Sequence, residues 1–282
     1  MDTLLEPFRY EFFQRAMFVA TVTGALCGLI GVYVVLRGMS YIGHGLSHAI
    51  FGGAVASSVL GVNVFLGAGL WGLVAVLFIN KVARRRTIGA DAAIGVVTSA
   101  SFAVGIIIIS AQRTFVVNFE ALLWGNVLGV APSDVPIVIG VAVFAAVAVF
   151  FGYRQLLFTT FDPEVAEVSG VRTERVDILL ALMLTATIAA TMNVLGVTMI
   201  AAMLVIPPVI ARLLTDSFGR MVWISTAVGT LCGFVGVYGS YYLDWSSGGT
   251  VVITAAGLFV AAFALSGIRG RRIPAGVAAD HP

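Results

Sequence analysis

The sequence predicts an all-α polytopic membrane protein of eight or nine transmembrane helices, organised as one domain over residues 1–282. Three observations lead there. Hydrophobic residues make up 60% of the 282 positions and Asp, Glu, Lys and Arg only 11%, against about a quarter charged in soluble domains. The mean hydropathy is +1.04, too apolar for a globule that must cover itself in water. Apolar runs of roughly 20 residues, the length that crosses a bilayer core as a helix, recur along the chain. Together these exclude a water-soluble enzyme, a disordered chain and a nucleic-acid binder. The net charge of +2, from 16 basic and 14 acidic residues, is too small to signal a polyanionic partner. The lipid bilayer is the expected solvent.

The elements follow in order. A short N-terminal segment (1–12) leads into an uncharged run at 16–36. The acids Glu6 and Glu11 ahead of it argue for a retained span rather than a signal peptide. The run at 40–62 is rich in glycine and polar residues, so it either crosses fully or re-enters. The run at 63–80 ends on Lys81, Arg84, Arg85 and Arg86. A clear span at 92–111 opens at Asp91, read as a cap and surface ion pair with that cluster. Phe119–Asn126, with Glu120 and Trp124, reads as an interfacial or re-entrant piece. The span at 135–153 ends at Arg154. A short capped segment at about 162–170 is followed by Arg172 and Arg175. Runs at 178–195 and 196–211 come next, the latter interrupted by Pro207-Pro208 and followed by Arg212 and Arg220. Spans at 221–243 and 250–268 precede a polar tail (269–282) holding Arg269, Arg271, Arg272 and His281.

Basic residues favour the cytoplasmic side. Two crossings between each basic cluster and the next place all four inside. The N-terminus is then outside if run 40–62 crosses, and inside if it re-enters. Cys27 and Cys232 lie in apolar runs with no CxxC, which reads as buried or lipid-facing thiols. No internal repeat stands out, against a carrier built from inverted repeats.

Three features carry chemistry. His44 and His48 in Gly43-His44-Gly45-Leu46-Ser47-His48-Ala49 stand at i and i+4 on one helix face. Two imidazoles so placed can share a divalent cation, and ionisable groups at membrane depth mark function by default. The alternative is two neutral histidines bonded to neighbouring helices. If they ligate, protons compete with metal near the ordinary imidazole pKa of about 6.5, so metal binding weakens on acidification.

Asp162-Pro163-Glu164-Val165-Ala166-Glu167-Val168-Ser169-Gly170 is the second feature. Asp162 suits an N-cap, Pro163 the first helical position, and Gly170 a left-handed ending. Its apolar ridge edged with charge could dock into another protein's groove or lie on the membrane surface. The third is the Pro207-Pro208 pair, whose freed carbonyls need a partner in lipid. It marks either a cavity-facing hinge, with Asn193, Thr191 and Thr198 upstream as further lining, or a packing kink. There is no GxxxxGK[ST], GxSxG or HExxH, so an ATP-driven step must come from another polypeptide.

From about Phe12 to Phe263 the chain resembles the permease family of ATP-binding-cassette (ABC) importers for zinc, manganese and iron. The resemblance rests on Arg37 before Gly43–Ala49, Asp91–Gly95, Gly125-Asn126 with Leu128-Gly129, and Phe161–Glu164 ending at Gly170. It continues through Pro207 with Ala211-Arg212-Leu213 and Tyr241–Asp244 followed by Ser247-Gly248. It implies a type II ABC importer-like permease in a prokaryotic plasma membrane: a transport subunit, not an enzyme, with no permanently bound cofactor. Its implied cargo is a divalent transition metal, zinc or manganese, with iron as a third option. The implied partners are a second copy of the chain, a cytoplasmic ABC ATPase that binds ATP, and an extracytoplasmic metal-binding protein. Asp162, Pro163, Glu164, Glu167 and Gly170 become a coupling helix for the ATPase.

In the family's Gly-Asp-Ala-Leu-Ser-His-Ala motif the Asp and His are implicated in the metal path. His48 matches that His, whereas His44 stands where the Asp is usual. Imidazole in place of carboxylate leans the chemistry towards zinc and away from manganese. Two rivals keep their place on residues alone: an ATP-driven permease for an iron or other metal chelate, and an ion-coupled secondary metal carrier. A membrane enzyme lacks any nucleophile set.

Overall fold

The structure is a computed structural model and describes residues 6–83, 90–111 and 119–270, without the side chains of 83, 90, 91, 119–121 and 267–270. Arg84–Arg86, Arg113, His281, the tail from Arg271, and the side chains of Asp91, Glu120 and Arg269 therefore lie outside the described residues. The elements are α1 (Glu11–Leu36), α2 (Ser40–Val59), α3 (Val64–Ala83), α4 (Ala90–Ala111), α5 (Phe119–Trp124) and α6 (Asp134–Phe161). They continue with α7 (Pro163–Val168), α8 (Thr173–Leu195), α9 (Val197–Leu214), α10 (Phe218–Leu243) and α11 (Ser247–Gly270). No strand occurs among the described residues.

Among the described residues eight helices are long and apolar enough to cross a membrane: α1, α3, α4, α6, α8, α9, α10 and α11. The remaining long helix, α2, has 20 residues, about 30 Å at 1.5 Å per residue. Its Gly45 and Gly52 sit on Ile94 and Ser101 of α4, so the two run parallel. Its Gly53 and Ser57 meet Trp71 and Gly67 of α3, so that pair runs antiparallel. Lying full length between two spans, α2 crosses as they do. With α2 counted beside the eight, the described residues make nine crossings, and with the arginine-bearing ends inside, α1 starts outside. The helix is less apolar than its neighbours because much of it faces protein, not lipid.

Small residues set how closely the helices pack. Lipid tails give no hydrophobic drive for helices to meet, so close backbone approach and interhelical bonds do the work. The α1–α10 contact is built this way. Gly24 lies against Gly229, Gly233 against Ala20, and Ser225 Oγ donates to the Gly28 carbonyl at 2.6 Å. Two-thirds of α1's apolar window (67%) is buried against 17% for α6, so α1 is central and α6 lipid-facing.

The helices outrun their uncharged stretches. α6 continues through Arg154 to Phe161, because a charge at headgroup depth can snorkel while the helix goes on into water. α1 likewise begins at Glu11, ahead of the first apolar run. Both cysteines are free and buried.

Candidate metal path and its two ends

The histidine pair stands on the one open edge of α2. Gly45 and Gly52 turn one side of the helix onto α4, while Ile50 and Gly53 turn another onto α3. Position 44 is left exposed and position 48 half-buried. The His44 and His48 rings are 4.7 Å apart at an interplanar angle of 79°. Phe102 of α4 packs edge-on against His48 at 5.3 Å, and Tyr41 flanks His44 at 6.3 Å. Ser47 Oγ donates to the His44 carbonyl at 2.8 Å rather than to an imidazole. Among the described residues no group of three or more His, Cys, Asp or Glu converges. The described residues thus place two imidazoles together, one exposed and one half-buried.

At the inner end, α7 forms as its local chemistry dictates. Asp162 Oδ1 accepts from Val165 N at 2.9 Å, Pro163 opens the helix, and Gly170 turns the chain with φ +82°. Val171 N donates to the Ala166 carbonyl at 3.0 Å, closing the C-terminal turn. Ala166 is fully buried and anchors the helix. Val168 is 91% exposed and Val165 51%, flanked by exposed Glu164 and Glu167, so an apolar ridge faces outward.

Arg37, just past the end of α1, joins this corner. Its Nη1 donates to Asp177 Oδ1 at 2.6 Å, its Nη2 to Thr159 Oγ1 at 2.8 Å and its Nε to Thr160 Oγ1 at 3.2 Å. The pair with Asp177 is the one ion pair among the described residues. A cavity of about 260 Å³ opens beside it, lined by Arg37, Met39, Asn80 and Asp177 among others. Nothing in the sequence pairs Arg37 with residues more than 120 positions away, and sequence reasoning missed all three partners.

At the outer end, α5 and the turn after it are clasped against the α8–α9 junction. Gly125 (φ +80°) and Gly196 (φ +79°) lie backbone to backbone, where a Cβ on either would overlap the other's main chain. Asn126 N donates to the Asn193 carbonyl at 3.1 Å, and Thr198 Oγ1 to the Leu123 carbonyl at 2.8 Å. Asn193 Nδ2 lies 3.5 Å from buried Asp134 Oδ2.

Asn193 and Thr198 thus belong to the outer clasp, and Thr191 is fully buried, its hydroxyl donating to the Thr187 carbonyl. None of them joins Pro207 and Pro208. The prolines sit inside a continuous α9, buried, with Pro208 and the Leu204 carbonyl against Gly31 of α1. The structure brings His44 and His48 together, gathers the α7 residues in one helix, and keeps Asn193 apart from the prolines.

Comparisons with known proteins agree with this architecture. Residues 9–266 match the model of the ABC 3 transport family. The manganese transport system membrane protein MntC of Halalkalibacterium halodurans is 34% identical over 261 residues, covering 93% of this chain and 89% of that one. The chelated iron transport system membrane protein YfeC of Yersinia pestis is 34% identical over 263 residues, covering 93% and 89%. Among solved structures, PsaBC from Streptococcus pneumoniae in complex with Fab superposes with a TM-score of 0.85 at 31% identity, covering 93% and 94%. A membrane fold of eight apolar helices plus α2, matched along nearly its whole length by these permeases, places the chain in the ABC 3 transport family as a multi-pass membrane permease.

Proposed function

We propose that this chain is the permease half-unit of an ATP-driven importer for a divalent first-row transition metal, with His44 and His48 as ligands on the path. The observation that carries this is the exposed His44–His48 edge, two nitrogens one turn apart with no third ligand nearby. A second copy of the chain would bring two more and complete a four-nitrogen shell between protomers. The relatives support a first-row transition metal as cargo, named as manganese for MntC and as chelated iron for YfeC. Family membership sets aside the ion-coupled carrier.

ATP is bound and hydrolysed on a separate cytoplasmic ATPase that docks on α7. The exposed Val165–Val168 ridge edged by Glu164 and Glu167 suits a groove on that partner. An extracytoplasmic metal-binding protein delivers the ion at the outer end. Imidazole binds late transition metals well, but a transport site must also release its cargo, so a nitrogen shell serves zinc or manganese.

Accumulation of radiolabelled manganese and zinc in metal-starved cells expressing the whole system tests the reading. His48→Ala should lower uptake to the level of cells lacking the chain, at unchanged membrane abundance. His44→Asp should shift the manganese-to-zinc ratio towards manganese. Normal uptake by His48→Ala would show that the histidines only pack.

A further inference from the structure

Arg37 stands at the meeting point of the two regions that an importer must connect. Its hydroxyl partners, Thr159 and Thr160, lie on the last turn of α6, just ahead of the Asp162 cap. Its carboxylate partner, Asp177, lies in the second turn of α8, just beyond Gly170. The guanidinium therefore holds both arms that carry α7. The start of α2, with the histidines further along it, is three residues away in sequence.

We infer that Arg37 is the positioning residue that transmits displacement of the α6–α7–α8 corner to the histidine helix. This rests on the reading that α7 docks the ATPase. The bonding is arranged for such a role. Each threonine hydroxyl donates its single proton back into α6, Thr159 to the Gln155 carbonyl at 2.9 Å and Thr160 to the Leu156 carbonyl at 2.6 Å. Their lone pairs are thereby left for Arg37, and three N–H groups of one rigid fork spread over two helices. A lysine at this position, with one compact ammonium, could not span the same set.

The link onward to α2 is short. Gly38 (φ +66°) reverses the chain after α1, and Met39 N donates to the Val34 carbonyl at 2.8 Å. A shift of Arg37 has little slack to disappear into before Ser40. Beyond it, α2 is continuous from Ser40 to Val59, so displacement of its start is carried along the helix, with the α4 face seated on Gly45 and Gly52, to His44 and His48. His48 is eight residues from the start of α2, about 12 Å at 1.5 Å per residue. The cavity beside Arg37 and Asp177 gives the side chains room to change partners without repacking the core.

The test uses the complete transporter, with its ATPase and metal-binding protein, reconstituted in vesicles, with ATP hydrolysis and manganese uptake measured together. Arg37→Gln should leave hydrolysis near the wild-type rate while manganese moved per ATP falls about tenfold, a size that residues between coupled sites produce. An unchanged ratio of manganese to ATP overturns the inference, and so does a proportional fall in both rates. Should Arg37→Gln fail to reach the membrane, Thr159→Val with Thr160→Val keeps the ion pair and shape and is read by the same ratio. A wild-type chain that recruits no ATPase would break the docking reading instead.

Discussion

At the outer end of the bundle, backbone meets backbone: Gly125 and Gly196 touch with no room for a Cβ, and Asn126 and Thr198 bond to main-chain carbonyls. At the inner end, long side chains span the gaps: Arg37 reaches Asp177, Thr159 and Thr160 beside a cavity. The outer clasp has van der Waals contact and no slack, so it contributes stability and resists movement. The inner latch is a set of polar bonds from one largely buried guanidinium with a cavity beside it. The two ends therefore divide the work, one fixing the fold and the other passing motion. Substitutions outside should lower stability while sparing coupling, and substitutions inside should do the reverse.

The largest expected effect is at the clasp. Gly196→Ala places a Cβ against the Gly125 and Trp124 backbone at a positive φ. It should cost on the order of 3 kcal/mol from strain and overpacking, seen as a lower thermal midpoint in detergent. A midpoint equal to wild type would remove the clasp from the argument. Next, Thr198→Val leaves the Leu123 carbonyl without its 2.8 Å donor. About 1–2 kcal/mol should be lost, while the manganese-to-ATP ratio of whatever protein remains folded stays unchanged. A changed ratio would mean that the outer end also transmits.

On the inner side, Asp162→Ala removes the cap on α7. A cap is worth about 1 kcal/mol, but the cost here is confined to a six-residue helix. The sharper readout is weaker ATPase binding at a nearly unchanged melting midpoint. The smallest stability effect is at Val168, which is 91% exposed. Val168→Ser should shift stability by less than about 0.5 kcal/mol and yet reduce ATPase co-purification. Undiminished co-purification would move the docking surface away from this ridge.

Legibility from sequence followed the range of the interactions. The α7 helix was readable because Asp162, Pro163 and Gly170 act within nine residues and cap the helix by themselves. The pairing of His44 and His48 was readable because it is one turn of helix. Composition leaves crossing by α2 open, since its glycine, serine and histidine content suits a protein environment that composition cannot display. Nearness in sequence suggests that Asn193 shares a cavity with the prolines. In the fold Asn193 caps the outer end, while Pro207 and Pro208 lie well down α9.

The sequence alone determined the membrane class, the approximate places of the nine long helices, the capped α7 and the shared face of the histidines. Each follows from composition, local capping or helical period, which act within a few turns. Only the tertiary structure decided that α2 crosses, that its histidine edge stays open, that Gly125 meets Gly196, and that Arg37 joins residues more than 120 positions away. Those facts depend on which helices become neighbours. In a bilayer, that choice is made by small-residue fit and a few polar bonds between distant segments, with no hydrophobic pattern along the chain to announce it.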